Sequence, residues 1–257
     1  MRLGRTIRKG LVIVLAVSVA CVVTGYVLVS WVPGDYRPAR LGREQREEAT
    51  SRFYNRVFRF ISDGEDIQPF TWTVGEQQLN GWLASMDEIA YRRGGKRGHV
   101  HTLLAKARLA EPAVALGDGE MKLMVRSTEH DKVLSATLRF ELTAGGQLRV
   151  RLAGTRVGRL PLPRFLVRER VRKLQRTVVQ RLLSSAESQD ARESDPSKAG
   201  VARVLARVVA AIDGQAIDTE LTWRLHSRKR VRIAKIDIDG RAATLHVVPV
   251  GRAGPAR

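Results

Sequence analysis

The sequence predicts an α+β chain: an N-terminal transmembrane helix, then one domain in which an antiparallel β-meander packs on helices. Three observations carry this. Leu11 to Val32 is an uncharged, mostly apolar run of 22 residues. Residues 43–62 and 164–184 repeat apolar side chains at helical spacing. Residues 103–158 alternate apolar and charged side chains with a period of two, broken by Gly-containing turns.

The first run lies between a basic tail at 1–10 (Arg2, Arg5, Arg8, Lys9) and the breaker Pro33-Gly34. A bilayer core about 30 Å thick takes roughly 20 helical residues, so 11–32 reads as a retained membrane span. Trp31 falls where an amphipathic ring meets the outer interface. A cleaved signal is one alternative. Lipoprotein-like processing at Ser18-Val19-Ala20-Cys21 is another, although a large aliphatic residue is expected where Ser18 stands. Basic residues balance across the span, four before it and Arg37, Arg40, Arg43 and Arg46 after it. A short tail stays inside while long domains translocate regardless of charge, so the N-terminus is expected to be cytoplasmic and the domain at 36–250 extracytoplasmic. Cys21 is the sole cysteine. It allows no intrachain disulfide and no Cys-rich zinc site.

Beyond a connector at 33–42, Ala49, Phe53, Val57, Phe60 and Ile61 form one apolar stripe on a helix over 43–62 that Asp63-Gly64 ends. Residues 69–74 read as a strand. Thr73 and Glu76 form a capping-box pattern opening a helix that carries Leu79, Trp82, Leu83 and Met86. Arg92–Gly98 is a basic, Gly-rich loop. The meander follows, turning at Asp118-Gly119 and Ala144-Gly145-Gly146-Gln147, with one apolar and one charged face. Next come a helix over 164–184 (Val167, Val171, Leu174, Val178, Leu182), a mobile polar loop at 185–199 and a helix over 201–212. Strands are expected at 216–225, 230–238 and 242–250, with Asp239-Gly240 turning the last hairpin and a loose tail at 251–257.

The chain holds 45 Lys and Arg against 26 Asp and Glu, a net charge of +19. Such a charge attracts polyanions: acidic phospholipid headgroups, wall polymers or nucleic acid. Aromatics are only 5%, too few for a base-stacking platform, and no nucleic-acid recognition module is present. The densest basic run after the N-terminal segment is 226–232, where Arg228, Lys229, Arg230 and Arg232 are the candidate contacts to an anionic surface. His99-Val100-His101 would put two imidazoles on one face of a strand, a metal half-site without a third ligand nearby. Asp87-Glu88 reads as a solvated helix end and His130-Asp131 as a turn. There is no nucleophile elbow and no phosphate-cradling Gly loop. No enzyme activity, cofactor or metal is therefore expected.

Two stretches carry a resemblance. Phe70-Thr71-Trp72-Thr73-x-x-Glu76-Gln77-Gln78-Leu79-Asn80-x-Trp82-Leu83 is one, and Gly158-x-Leu160-Pro161-x-Pro163 closing the meander is the other. In this order behind an N-terminal span, they resemble the YpmS-like family of membrane-anchored bacterial proteins over about residues 45–165. The layout is also similar to the tubular lipid-binding (BPI/SMP-like) proteins, in which a strongly curved sheet wraps a long helix. The resemblance implies a bacterial envelope protein with a curved sheet and an acyl-chain groove. Leu79, Trp82, Leu123, Val125, Leu138, Phe140, Val150 and Leu152 would line that groove; plain core is the simpler reading of any single one of them. The implied partners are the membrane, a phospholipid or other amphiphile, or another envelope protein.

Overall fold

A computed structural model describes residues 18–65, 68–92, 98–143, 146–163, 217–222 and 230–250. The fold is α+β with antiparallel sheets. Residues 18–30 form helix α1. It is followed by α2 (Arg43–Glu65), strand β1 (Phe70–Gly75), α3 (Glu76–Ala84), α4 (Met86–Arg92) and α5 (His99–Lys106). The meander is β2 (Leu109–Gly117), β3 (Glu120–Ser127), β4 (Lys132–Leu142) and β5 (Gln147–Val157), with a short β6 (Leu160–Pro161). The C-terminal strands are β7 (Ile217–Asp218), β8 (Glu220–Thr222), β9 (Arg230–Asp239) and β10 (Ala242–Val250).

Strands β2 to β6 pair in chain order, as the period-two pattern and turn residues predict, while β1, β10, β9 and β8 form a four-stranded sheet. β7 joins β5, and two residues later β8 joins β9, so one short stretch passes the hydrogen-bond ladder from one sheet to the other. The sheets face each other across Val114, Leu116 and Ile238, with Leu79, Leu83, Met121, Phe140 and Ile236 packed around them.

The aromatic residues of α2 and α3 meet under β1. Phe53 stands edge-on to Trp82 at 5.1 Å, Phe60 edge-on to Trp72 at 5.3 Å, and Trp72 stacks on Trp82 at 6.3 Å. The apolar stripe of α2 is thus half-buried against these rings, and the helix runs past Asp63-Gly64 to Glu65.

Two local expectations are corrected. The cap of α3 lies two residues further on than Thr73: the Gly75 N–H donates to Gln78 Oε1 at 3.2 Å, while Thr73 Oγ1 pairs with Thr244 Oγ1 across the sheet at 3.0 Å. Residues 99–106 are helix, so the period-two region begins at Leu109 rather than 103. The Asp87 carboxylate accepts the N–H groups of Val100 (2.8 Å) and His101 (3.1 Å) and caps α5 from another helix. His99 and His101 therefore occupy one helical turn, about 200° apart, and cannot share a strand face. The expected helices at 164–184 and 201–212, the loop at 185–199, residues 93–97 and the tails at 1–10 and 251–257 lie outside the described residues.

Candidate functional site

The feature that the fold builds most deliberately is a seat for the end of α1. This helix presents apolar side chains outward: Val22 is 72% exposed and Tyr26 70%, with Val19, Val23, Val27 and Trp31 about half exposed. A helix with its apolar side chains bare on this scale marks a surface for lipid or a partner. Among the described residues no helix is long and apolar enough to cross a membrane. Of the expected span at 11–32, residues 18–32 are described, with 18–30 helical, and 11–17 lie outside.

The C-terminal turn of α1 rests on the β5–β6 turn. Gly158 is buried there with φ +58°, and a Cβ on it would lie 2.6 Å from the Leu28 carbonyl oxygen and 2.9 Å from that of Trp31, with that of Val29 closer still. Only glycine fits both the left-handed backbone and this approach. The Arg159 N–H donates to Leu28 O at 2.8 Å, satisfying a carbonyl that the helix end leaves free. Two cations complete the seat. Lys132 Nζ donates to Ser30 Oγ at 2.7 Å and lies 5.5 Å from the Tyr26 ring, and the Arg159 guanidinium covers the Trp31 ring at 4.3 Å. Positive charge here complements the negative end of the helix dipole.

From the seat, residues 31–40 run as a strap over the outer face of the meander. Asp35 pairs with Lys122. Tyr36 packs on the cluster of Ala113, Met124 and Val133 and donates its hydroxyl to Glu111 O at 2.8 Å. Glu111, at φ +49° before Pro112, forms a bulge in β2, and its carboxylate pairs with Arg40 (3.2 Å) and Arg126 (3.4 Å). Burial pushes the Tyr36 phenol up from 10.0 to about 12, and the Glu111 charge adds to the effect. Below pH 10 the phenol is protonated in both folded and unfolded chains, and the strap's contribution is fully present. Between about 10 and 12 the unfolded chain releases this proton and the folded chain retains it, so stability falls as pH rises. Thermal unfolding followed across this range should show that loss in the wild type. Tyr36→Phe should cost about 1 kcal/mol at neutral pH for the lost hydrogen bond and remove Tyr36's share of the alkaline loss. Parallel pH profiles for the two proteins would contradict this account.

Of the eight groove residues, most sit in packed clusters. Leu79 and Phe140 pack between the sheets; Leu138, Val150 and Leu152 form a cluster on β4 and β5; Trp82 stacks on Trp72. Leu123 is 37% exposed and Val125 half-buried on the same inner face of β3. Of the four basic contacts, Arg228 and Lys229 lie outside the described residues. Arg230 and Arg232 are exposed on β9, at the other end of the domain from the seat: the Arg232 side chain lies 3.3 Å from the Cβ position of Gly146, in the β4–β5 turn. Among the described residues no three His, Cys, Asp or Glu converge on a metal site. Asp87 is occupied with capping, Glu88 pairs with Arg46 at 3.6 Å, and Asp131 pairs with Arg126 at 2.6 Å. The clefts nearest the strap are lined chiefly by charged side chains and backbone.

Sequence reasoning did not single out Lys132, Arg159 and Gly158 as functional. The available signal was Gly158 within the quoted motif, since an isolated glycine at a strand end marks a close backbone approach. No protein-family model matches the chain, and neither the curated proteins nor the solved structures contain a match.

Proposed function

We propose that the protein is a single-pass envelope protein with a cytoplasmic N-terminus, a retained anchor at 11–32 and an extracytoplasmic domain. In this reading the domain is a non-enzymatic lipid- or amphiphile-binding module held at the membrane surface, akin to the YpmS-like proteins. One observation carries it: α1 leaves its apolar side chains bare yet is bolted at one end to the sheet by Gly158, Arg159 and Lys132. A flexible tether would need no such seat. A rigid one sets the height and tilt of the domain over the bilayer and brings its cations to headgroup level.

The sole cysteine provides the topological test. In intact membranes Cys21 should resist a membrane-impermeant maleimide and react after detergent is added, whereas Thr128→Cys should label from outside. Ready labelling of Cys21 in intact membranes would refute the anchor. Native mass spectrometry of the full chain in detergent tests the ligand. A lipid adduct lost on Leu123→Arg, in a protein that still folds, supports binding on the inner apolar face. A bare wild-type chain favours the second reading, a scaffold that holds another envelope protein or an anionic wall polymer. The burial of Leu138 and Val150 in one packed cluster favours that second reading.

A further inference from the structure

A cleft of about 450 Å³ opens beside the seat, between the strap at Pro33–Asp35 and the outer face of β4 and β5. Its polar groups are unequal in their commitments. Lys122 is neutralised by Asp35. Arg156, by contrast, is exposed and pairs with no carboxylate among the described residues, and neither does Arg159, which engages only the Trp31 ring and, through its N–H, Leu28 O. Ser135 is the cross-strand neighbour of Arg156, so the two side chains share one face. Ser135 is only 7% exposed, lines the cleft, and its hydroxyl makes no hydrogen bond among the described residues. The hydroxyl can therefore donate to a group that enters the cleft.

We infer that this cleft binds the phosphodiester headgroup of an anionic lipid from the outer leaflet, with Arg156 and Arg159 as the charged contacts and Ser135 as the donor. The inference rests on the membrane-anchored reading and names the ligand and place within it. Height argues for lipid: Arg159 lies on the ring of Trp31, the residue positioned for the interface, so the cleft opens where phosphates lie. Charge argues for an anionic headgroup. Two guanidiniums face one carboxylate that is already paired, which leaves nothing to receive the ammonium of a zwitterionic lipid.

The test is native mass spectrometry of the full chain in detergent, titrated with phosphatidylglycerol, phosphatidylcholine and, as competitor, inorganic phosphate. The wild type should retain phosphatidylglycerol in preference to phosphatidylcholine. Arg156→Gln with Arg159→Gln should weaken it roughly tenfold or more. Arg156→Gln alone should weaken it severalfold, and it serves if the double variant unseats α1, because the Arg156 side chain pairs with no carboxylate among the described residues. Arg149→Gln with Arg151→Gln removes the same charge at the far end of β5 and should leave affinity unchanged. Equal loss in that control would reduce the effect to general attraction and overturn the site. Displacement by millimolar phosphate would make it a free-anion site and overturn it too. A wild type that binds lipid regardless of Arg156 and Arg159 defeats this site but not the wider function, whereas one that binds no lipid defeats both.

Discussion

Gly158→Ala should unseat the N-terminal helix while leaving the rest of the meander intact. The new methyl group would lie under 3 Å from the carbonyl oxygens of Leu28, Val29 and Trp31, and backbone oxygens at a helix end cannot swing aside as a long side chain can. The substitution also forces an L side chain into a left-handed conformation at φ +58°. Together these should cost about 3 kcal/mol. Gly119→Ala is the matched control. Gly119 has φ +74° with nothing within 4 Å of its Cβ position, so it bears the backbone strain alone, about 1 kcal/mol. The specific signature is release of the strap. Trypsin should cut after Arg40 much faster in Gly158→Ala than in the wild type or Gly119→Ala; Pro38 blocks cleavage after Arg37 in all three. Equal cleavage rates in all three would show that the strap and helix are not held through Gly158.

Asn80→Ala should be the most damaging single change in the core. β2 is an edge strand, and its outward-facing backbone groups need partners. Asn80, 5% exposed, supplies two. Its Nδ2 donates to Val114 O at 2.9 Å and its Oδ1 accepts the Val114 N–H at 2.6 Å, so one side chain imitates a neighbouring strand. Glu76 continues the imitation by accepting the Leu116 N–H at 2.9 Å. Removing the amide leaves a buried donor and a buried acceptor empty at about 1–3 kcal/mol each. We expect a loss of about 3 kcal/mol in denaturant unfolding and faster amide exchange at Val114. Gln77→Ala, on the exposed side of α3, should change neither. A loss under about 1 kcal/mol for Asn80→Ala would mean that water replaces the amide and that α3 does not seal this edge.

These two residues explain why the quoted motifs were readable as motifs but not as functions. Asn80 and Gly158 stood out in the sequence, yet each acts on a backbone 34 or more positions away in the chain. Other elements were legible outright. Alternation in β3, β4 and β5, with Asp118-Gly119 and Asp239-Gly240 between strands, predicted the hairpins because period and turn chemistry are local properties. The stripe of α2 was legible for the same reason. His99–Lys106 was not, because eight residues fit either period and the deciding cap, Asp87, comes from a different helix.

By itself, then, the sequence determined the apolar N-terminal run, the α+β class, the strands of the meander and their apolar face. All of these follow from side-chain spacing along a few turns or strand repeats. The tertiary structure alone decided that β1 pairs with β10, that β7 and β8 join the two sheets, and that α1 is seated on Gly158 beneath Arg159 and Lys132. Spacing marks which face of a strand is apolar but carries no label for the partner. Partners are selected by burial and by satisfying edge hydrogen bonds, which exist only once distant segments have met.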